Sequence, residues 1–149
     1  MTIEKASREE LSAILDLQYK AYESEARLLN NWNIPPLKQT LAEVEAEWDK
    51  GVILKAVGDT GELIGSVRAW EENGTVYVGK LMVRPDCQGR GIGTRLLLAV
   101  EEICPGKRYE LFTSTQSARN IALYQRCGYR IFTEKQVNEN LRFVYLEKV

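Results

Sequence analysis

Apolar residues in the first part of the chain recur at helical spacing. Leu11, Ile14, Leu15 and Tyr22 fall on one face of a segment that is predicted to be a helix as far as about Leu29. A short strand is predicted before it, at residues 3–6. Between the two, residues 7–10 read Ser-Arg-Glu-Glu, the form of a capping box.

The polar, proline-containing run 30–36 separates this helix from a second predicted helix, which Gly51 ends. Four residues mark the apolar face of the second helix: Leu37, Leu41, Val44 and Trp48. The break and the new face predict two helices before the first long strand.

From residue 52 onward the period changes to that of strands. The run 52–57 is short, apolar and β-branched, and residues 59–61 are predicted to form a turn. Asn73-Gly74 is a strong hairpin signal and predicts that segments 63–71 and 75–83 pair antiparallel.

The second half of the chain continues the alternation of strands and helices. After a glycine-rich loop, five elements are predicted: a helix at 92–103, a strand at 109–114, a helix at 117–126 stopped by Gly128, and strands at 129–137 and 141–147. The resulting order is β-α-α-β-β-β-α-β-α-β-β, an α/β (α+β) chain.

Composition narrows the possible functions. The 149 residues are expected to form one domain, residues 1–149. With 20 Lys+Arg against 21 Asp+Glu and no basic block, no nucleic-acid partner is expected. Neither a membrane-length apolar run nor a signal-peptide pattern is present, so a cytoplasmic location and no membrane partner are expected.

The chain has no histidine and three cysteines, Cys87, Cys104 and Cys127, without CxxC spacing. These features argue against a disulfide framework and a structural zinc site, so reduced thiols and no metal are expected. Without imidazole, proton transfer must use a carboxylate, tyrosine, lysine or water.

The glycine-rich loop reads Gln88-Gly89-Arg90-Gly91-Ile92-Gly93 and lies between a predicted strand and a predicted helix. Glycines let main-chain N–H groups converge on an anion at the positive end of the helix, which predicts a phosphate or pyrophosphate site. A Walker A loop would require Gly-Lys-Ser/Thr, and a Rossmann fingerprint would require GxGxxG in the first strand-to-helix turn. Neither pattern fits, whereas a mere tight turn would not need three alternate glycines.

Residues 81–97, with the core Gln88-Gly89-Arg90-Gly91-Ile92-Gly93, resemble the acyl-CoA signature of the GNAT superfamily of N-acetyltransferases. Residues 120–129, Asn-Ile-Ala-Leu-Tyr-Gln-Arg-Cys-Gly-Tyr, resemble the second signature of that family. The resemblance implies a GNAT-like, mixed, mostly antiparallel central sheet of about six or seven strands flanked by four helices. It also implies transfer of an acetyl group from acetyl-CoA, a cosubstrate, to a primary amine by direct attack.

The resemblance assigns roles residue by residue. Cofactor binding falls to these residues: Leu81, Met82, Val83, Gln88, Gly89, Arg90, Gly91, Ile92, Gly93, Thr94 and Asn120. It makes Tyr124 the general acid that protonates the departing thiolate. The positions where some relatives carry a catalytic carboxylate are Phe112 and Tyr77 here. Two alternatives remain: a remote glutamate acting through water, with Glu25, Glu71 and Glu72 as candidates, or a substrate amine of lower pKa. Ser117 is expected to cap its helix.

The acceptor is expected between the first two helices and the later strands. Tyr22, Trp32 and Tyr77 are the expected substrate-binding residues, and Tyr19 and Trp70 were also considered. The expected partner is a small-molecule or peptide amine, and a homodimer is an open possibility. The alternative function is a CoA-binding sensor or interaction module with weak or no catalysis.

Overall fold

The structure is a computed structural model that describes all residues 1–149. Its strands are Thr2–Lys5 (β1), Val52–Val57 (β2), Leu63–Glu72 (β3), Thr75–Val83 (β4), Arg108–Ser114 (β5), Arg130–Asn138 (β6) and Leu141–Lys148 (β7). They form one sheet in the order β1-β2-β3-β4-β5-β7-β6. Only the pair β4 and β5 is parallel, which confirms the mostly antiparallel sheet.

Five helices flank the sheet: Leu11–Leu29 (α1), Pro35–Lys38 (α2), Leu41–Lys50 (α3), Ile92–Ile103 (α4) and Ala118–Arg126 (α5). Two neighbouring residues of β2 show which helices lie on each face of the sheet, because successive side chains in a strand point to opposite faces. Ile53 packs in a cluster with Leu11, Ile14 and Val44 of α1 and α3. Leu54 belongs to the largest buried cluster, which includes residues of α4 and α5.

The predicted hairpin between β3 and β4 is confirmed. Asn73 and Gly74 both have positive φ, 53° and 87°, as a tight primed turn requires. Glu72 pairs with Thr75 directly across this turn. The register then shifts between Ser66 and Arg68, where Lys80 adopts a φ of 51° in a bulge of β4.

The prediction of one continuous second helix beginning near Leu37 was wrong. Residues 35–38 form the separate short helix α2, which is why the fold has one helix more than predicted. Gln39 and Thr40 are extended, and α3 begins at Leu41. The Thr40 hydroxyl accepts a hydrogen bond from the Glu43 N–H, while the Glu43 carboxylate accepts from the Thr40 N–H. This capping box starts a new helix and outweighs the helical spacing of Leu37.

The divergence of β4 from β5 opens the sheet. The two strands pair only from Thr75 with Arg108 to Tyr77 with Glu110. Beyond these pairs, β5 continues along β7, and β4 continues along β3. A wedge-shaped gap therefore opens in the sheet and widens toward the glycine-rich loop at the end of β4.

The three cysteines are free, as predicted. No helix combines the length and the apolar character needed to cross a bilayer. Clusters of three or more potential metal-ligating His, Cys, Asp or Glu side chains are absent.

Candidate functional site

The glycine-rich loop presents a row of unused main-chain donors. Gly89 and Gly91 have φ of 80° and 81°, a conformation that side-chain-bearing residues rarely adopt. The N–H groups of Gln88 through Thr94 donate to no acceptor within the chain, and the first helical bond of α4 runs from the Arg95 N–H to the Gly91 carbonyl. Free donors at the positive end of a helix form a ready anion site.

Cationic side chains surround this loop without carboxylate partners. Arg90, Arg95 and Arg119 form no salt bridge, whereas Arg84 is held by Asp86 at 2.6 Å. Arg119 donates to the Gln88 side-chain oxygen at 3.0 Å and so stands beside the free amides. The loop thus combines main-chain donors with uncompensated positive charge, a combination that suits a phosphate ligand.

A cavity of about 690 Å³, the main cavity, fills the gap between β4 and β5 and reaches the loop. Most residues expected to bind the cofactor line it: Leu81, Met82, Val83, Gln88, Gly89, Gly91, Ile92, Gly93, Thr94 and Asn120. Arg90 is exposed and does not line it. Arg84 donates its N–H to Ile64 on β3, so by strand alternation the N–H groups of Leu81 and Val83 face the gap.

Tyr124 of α5 lies in the wall of the main cavity and is only 7% exposed. Its hydroxyl donates no hydrogen bond to any group of the chain, although its neighbour Tyr129 donates to Glu101 at 2.7 Å. Burial, together with the nearby Tyr22 and Glu25, raises the pKa of Tyr124. The phenol is therefore protonated at neutral pH and has no acceptor within the protein.

Of the three glutamates considered as the catalytic base, Glu25 alone lines the main cavity. The Ser117 hydroxyl donates to its carboxylate across 92 positions of sequence. The prediction that Ser117 caps its helix was wrong, because its side chain makes no cap bond and turns to Glu25 instead. Glu71 and Glu72 lie at the hairpin end of β3, where Glu71 accepts from the Gly74 N–H at 2.9 Å. Neither of these two residues lines the cavity.

The three residues expected to bind substrate are dispersed. Tyr22 lines the main cavity. Tyr77 stacks on Trp70, with ring centroids 4.6 Å apart, in a second cavity of about 310 Å³. Trp32 is 54% exposed, lines neither of these cavities, and lies under the guanidinium of Arg27 at 5.8 Å.

The second cavity adjoins the main cavity on the other side of the point where the strands diverge. Five residues line both cavities: Val78, Gly79, Lys80, Leu111 and Phe112. The remaining wall of the second cavity is aromatic and charged, with Trp70, Tyr77 and Tyr145 beside Glu47 and Lys50. Phe112, which occupies a position where relatives carry a catalytic carboxylate, is thus part of the shared wall.

A buried polar cluster at the second cavity was missed by the sequence analysis. Arg68, 5% exposed, donates to Glu47 at 2.8 Å, to Gln39 at 2.9 Å and to Gln18 at 2.6 Å. Gln39 also donates to the second oxygen of Glu47 at 2.7 Å. One signal was available, because an arginine between Val67 and Ala69 in an apolar strand is a buried charge that requires a partner.

Lys80 lies in the wall shared by the two cavities, and its side chain is 26% exposed. Glu47, the one carboxylate within salt-bridge distance of it, is 4.0 Å away and is already engaged by Arg68 and Gln39, while Glu43 lies farther off. Burial lowers the pKa of Lys80, and Arg68 acts in the same direction, while Glu47 and Glu43 oppose the shift. The Lys80 ammonium has no carboxylate closer than 4.0 Å.

Comparisons with known proteins identify a matching family and solved structures of similar architecture. The model of the acetyltransferase (GNAT) family matches residues 11–129. The ribosomal-protein-S18-alanine N-acetyltransferase of Escherichia coli superimposes with a TM-score of 0.80 at 15% identity, over 99% of this chain and 92% of that one. A phosphinothricin acetyltransferase of Sinorhizobium meliloti, solved in complex with acetyl-CoA, superimposes with a TM-score of 0.78 at 17% identity, over 99% and 86%.

Among curated proteins, UPF0157 protein YqkA of Bacillus subtilis is 24% identical over 118 residues. The match covers 78% of this chain and 34% of that protein. The chain therefore spans about a third of the length of this relative. The two structural similarities show the fold, and the family match shows the membership.

Proposed function

The chain belongs to the acetyltransferase (GNAT) family, and we propose that it transfers an acetyl group from acetyl-CoA to a primary amine. The observation that carries the proposal is the uninterrupted row of free N–H groups from Gln88 to Thr94, which opens into the same cavity as Tyr124, whose hydroxyl has no partner within the chain. Acetyl-CoA contains both a diphosphate and an acyl thioester. The diphosphate fits the anion site of the loop, and the thioester fits the part of the cavity where Tyr124 can donate a proton.

In this proposal the loop holds the diphosphate. The N–H groups of Gly89 to Thr94 donate to its oxygens, and Arg90, Arg95 and Arg119 offset its charge. The main chain of Leu81 and Val83, which has no strand partner on the side of the gap, binds the amide-bearing arm as an added strand would. Asn120 lines the same groove.

Tyr124 is the proposed general acid. The neutral amine attacks the thioester carbonyl, the C–N bond forms, the C–S bond breaks, and the thiolate takes the phenolic proton. The extra proton on the nitrogen of the new amide then passes, directly or through water, to the tyrosinate and restores the phenol. A phenol of pKa about 10 protonates a thiolate of pKa about 8.5 against a gradient of roughly 2 kcal/mol in water. Burial raises the pKa of Tyr124 and so enlarges this gradient, and positioning of the phenol against the thiolate must offset it. The Tyr124 hydroxyl has no acceptor in the protein and lies in the wall of the main cavity, so it is free to make that contact.

Glu25 is the proposed base for the incoming ammonium, directly or through water. It is a carboxylate in the wall of the main cavity, and its hydrogen bond comes from the Ser117 hydroxyl, which leaves its second oxygen available. This placement answers the lack of a carboxylate at Phe112 and Tyr77. The residue expected to remove a proton and the residue expected to supply one then line one cavity.

The test combines binding with turnover. Calorimetric titration with acetyl-CoA is expected to show saturable binding, and CoA release over a panel of primary amines is expected to exceed hydrolysis for at least one amine. Binding without release for any amine would favour the CoA-binding sensor. No saturable binding would contradict both functions.

A further inference from the structure

The second cavity carries a surplus of positive charge. Lys50, at its rim, has no carboxylate within salt-bridge distance, and its Nζ lies 3.4 Å from the centre of the Trp70 ring. Lys80 in the shared wall has only the engaged Glu47, at 4.0 Å. Lys135 has no carboxylate partner either, and its Nζ lies 4.8 Å from the ring centre of Tyr145, another lining residue.

The carboxylates near this cavity are already satisfied. Glu47 neutralises the buried Arg68 at 2.8 Å. Glu110 accepts from Arg108 at 2.8 Å. Lys50 and Lys80 are therefore left without a dedicated anion, and burial of Lys80 makes an incoming anion more valuable there than at an exposed lysine.

The main cavity has the opposite polarity near the proposed acid and base. Glu25 supplies a carboxylate there, and its partner Ser117 is neutral. The two cavities meet at Lys80 and Phe112, so one molecule can extend from one to the other. Such a molecule would place a positive group near Glu25 and a negative group near Lys50 and Lys80.

We propose that the acceptor is an amine that also carries a carboxylate, which lies in the second cavity against Lys50 and Lys80 while the amine enters the main cavity. The aromatic wall of Trp70, Tyr77 and Tyr145 packs against the apolar part between the two charged ends. This inference rests on the proposed acetyl transfer and specifies its substrate class.

The test compares amines that differ only in the negative charge. Phenylalanine, glutamate and γ-aminobutyrate are each assayed beside the matching carboxamide, at equal concentrations of neutral amine. Loss of a charge-assisted contact is worth about tenfold or more, so the KM of the preferred carboxylate is expected to be lower than that of its carboxamide by at least that factor. Equal values for each pair would overturn the inference.

Variants locate the effect. Lys50→Gln and Lys80→Gln are each expected to remove most of the preference for the carboxylate, by raising the KM of the carboxylate toward that of its carboxamide. Lys20→Gln, an exposed lysine of α1 outside both cavities, is the matched control and should keep the preference. A preference that survives in both cavity variants, or that falls equally in the control, would overturn the inference.

A second readout separates this inference from the proposed function. The CoA-loaded protein is titrated calorimetrically with phenylalanine, glutamate and γ-aminobutyrate and with their carboxamides. Binding that favours a carboxylate and depends on Lys50 and Lys80, without any turnover, would support the inference and contradict the transferase. Turnover of amines without such dependence would support the transferase and contradict the inference. Failure to bind any carboxylate preferentially would likewise overturn the inference.

Discussion

The glycine-rich loop and the Arg68 cluster are both polar, but they use their hydrogen-bonding groups in opposite ways. The loop leaves the N–H groups of Gln88 to Thr94 without acceptors. In the cluster, Arg68 is bonded to Gln18, Gln39 and Glu47, and only its Nε lacks a partner. Free donors await a ligand, whereas satisfied donors hold the scaffold. Substitutions in the two regions should therefore affect different measurements.

Tyr124→Phe should have the largest effect of the substitutions in the region that binds and converts the ligand. General acid catalysis contributes about a hundredfold to ten-thousandfold, so kcat is expected to fall by about a thousandfold. Acetyl-CoA affinity and the unfolding midpoint should change little, because the hydroxyl bonds to nothing in the protein. The measurements are CoA release, calorimetry and thermal unfolding.

The control for this prediction is Tyr129→Phe. Tyr129 is also buried, with its ring centre 6.3 Å from that of Tyr124, but its hydroxyl is bonded to Glu101. This variant should lose about 1 kcal/mol of stability and keep its turnover. Equal turnover losses in the two variants would mean that Tyr124 acts through packing.

Glu47→Leu tests the scaffold side of the comparison. It leaves the guanidinium of Arg68, with a side chain only 6% exposed, without its counter-ion. Because the Glu47 side chain is itself 35% exposed, the expected loss of unfolding free energy is about 3 kcal/mol, the lower end of the cost of breaking a buried pair. Urea unfolding measures the loss. Glu45→Leu on the same helix removes an exposed pair with Arg8 and should cost at most about 1 kcal/mol. A comparable loss in both variants would show that the Arg68 cluster contributes no more than a surface pair.

Gly91→Asp tests the ligand-binding role of the loop. A side chain at Gly91 meets no atom within 4 Å, so the expected effects are the strain of a positive φ and a negative charge beside the free donors. Acetyl-CoA affinity is expected to fall by about a hundredfold, near 2.7 kcal/mol.

Gly61→Asp provides a matched control for this loop variant. Gly61 has a φ of 85°, against 81° at Gly91, and an added side chain there also meets nothing within 4 Å. It lies in the turn before β3, so the variant should share the strain and keep the affinity. Reduced affinity in both variants would assign the effect to backbone strain instead of charge.

The same contrast explains how much could be predicted from the sequence. The glycines of the loop and the Asn73-Gly74 turn act through local backbone conformation. The loop and the hairpin could therefore be predicted from adjacent residues in the sequence. The Arg68 cluster unites side chains of α1, β3, α3 and the segment before α3. The local spacing of residues does not predict which glutamine or glutamate forms a hydrogen bond with an arginine so far away in the sequence.

Candidate site residues divide along the same line. Most of those that belong to the loop, such as Gly89 and Gly93, line the main cavity because they are neighbours along the chain, with Arg90 as the exception. Trp32 and Tyr77 are aromatic residues of segments that were expected to face the acceptor. The pairing of β3 with β4 and the path of residues 30–34 place both of them outside the main cavity. The contact of Ser117 with Glu25 depends on packing of α5 near α1 and has no local signal.

Glu25→Gln gives the smallest of these effects and tests whether a side-chain site assembled by the fold takes part in the reaction. The amide still accepts from Ser117, so the fold is retained, but it cannot take a proton. Turnover at neutral pH is expected to fall by about tenfold or more, since general base catalysis contributes at least that much. The loss should shrink as pH rises, because the amine, with a pKa of about 10, then loses its proton to solvent.

The matched control for Glu25→Gln is Glu23→Gln, which lies on the same helix and pairs only with exposed Arg27 at 3.9 Å. It should keep both the rate and the shape of the pH profile. A loss in Glu25→Gln that stays constant from neutral to alkaline pH would assign Glu25 a positioning role toward Ser117. The free main-chain loop would then be joined to a cavity in which solvent, not a carboxylate, removes the proton from the amine.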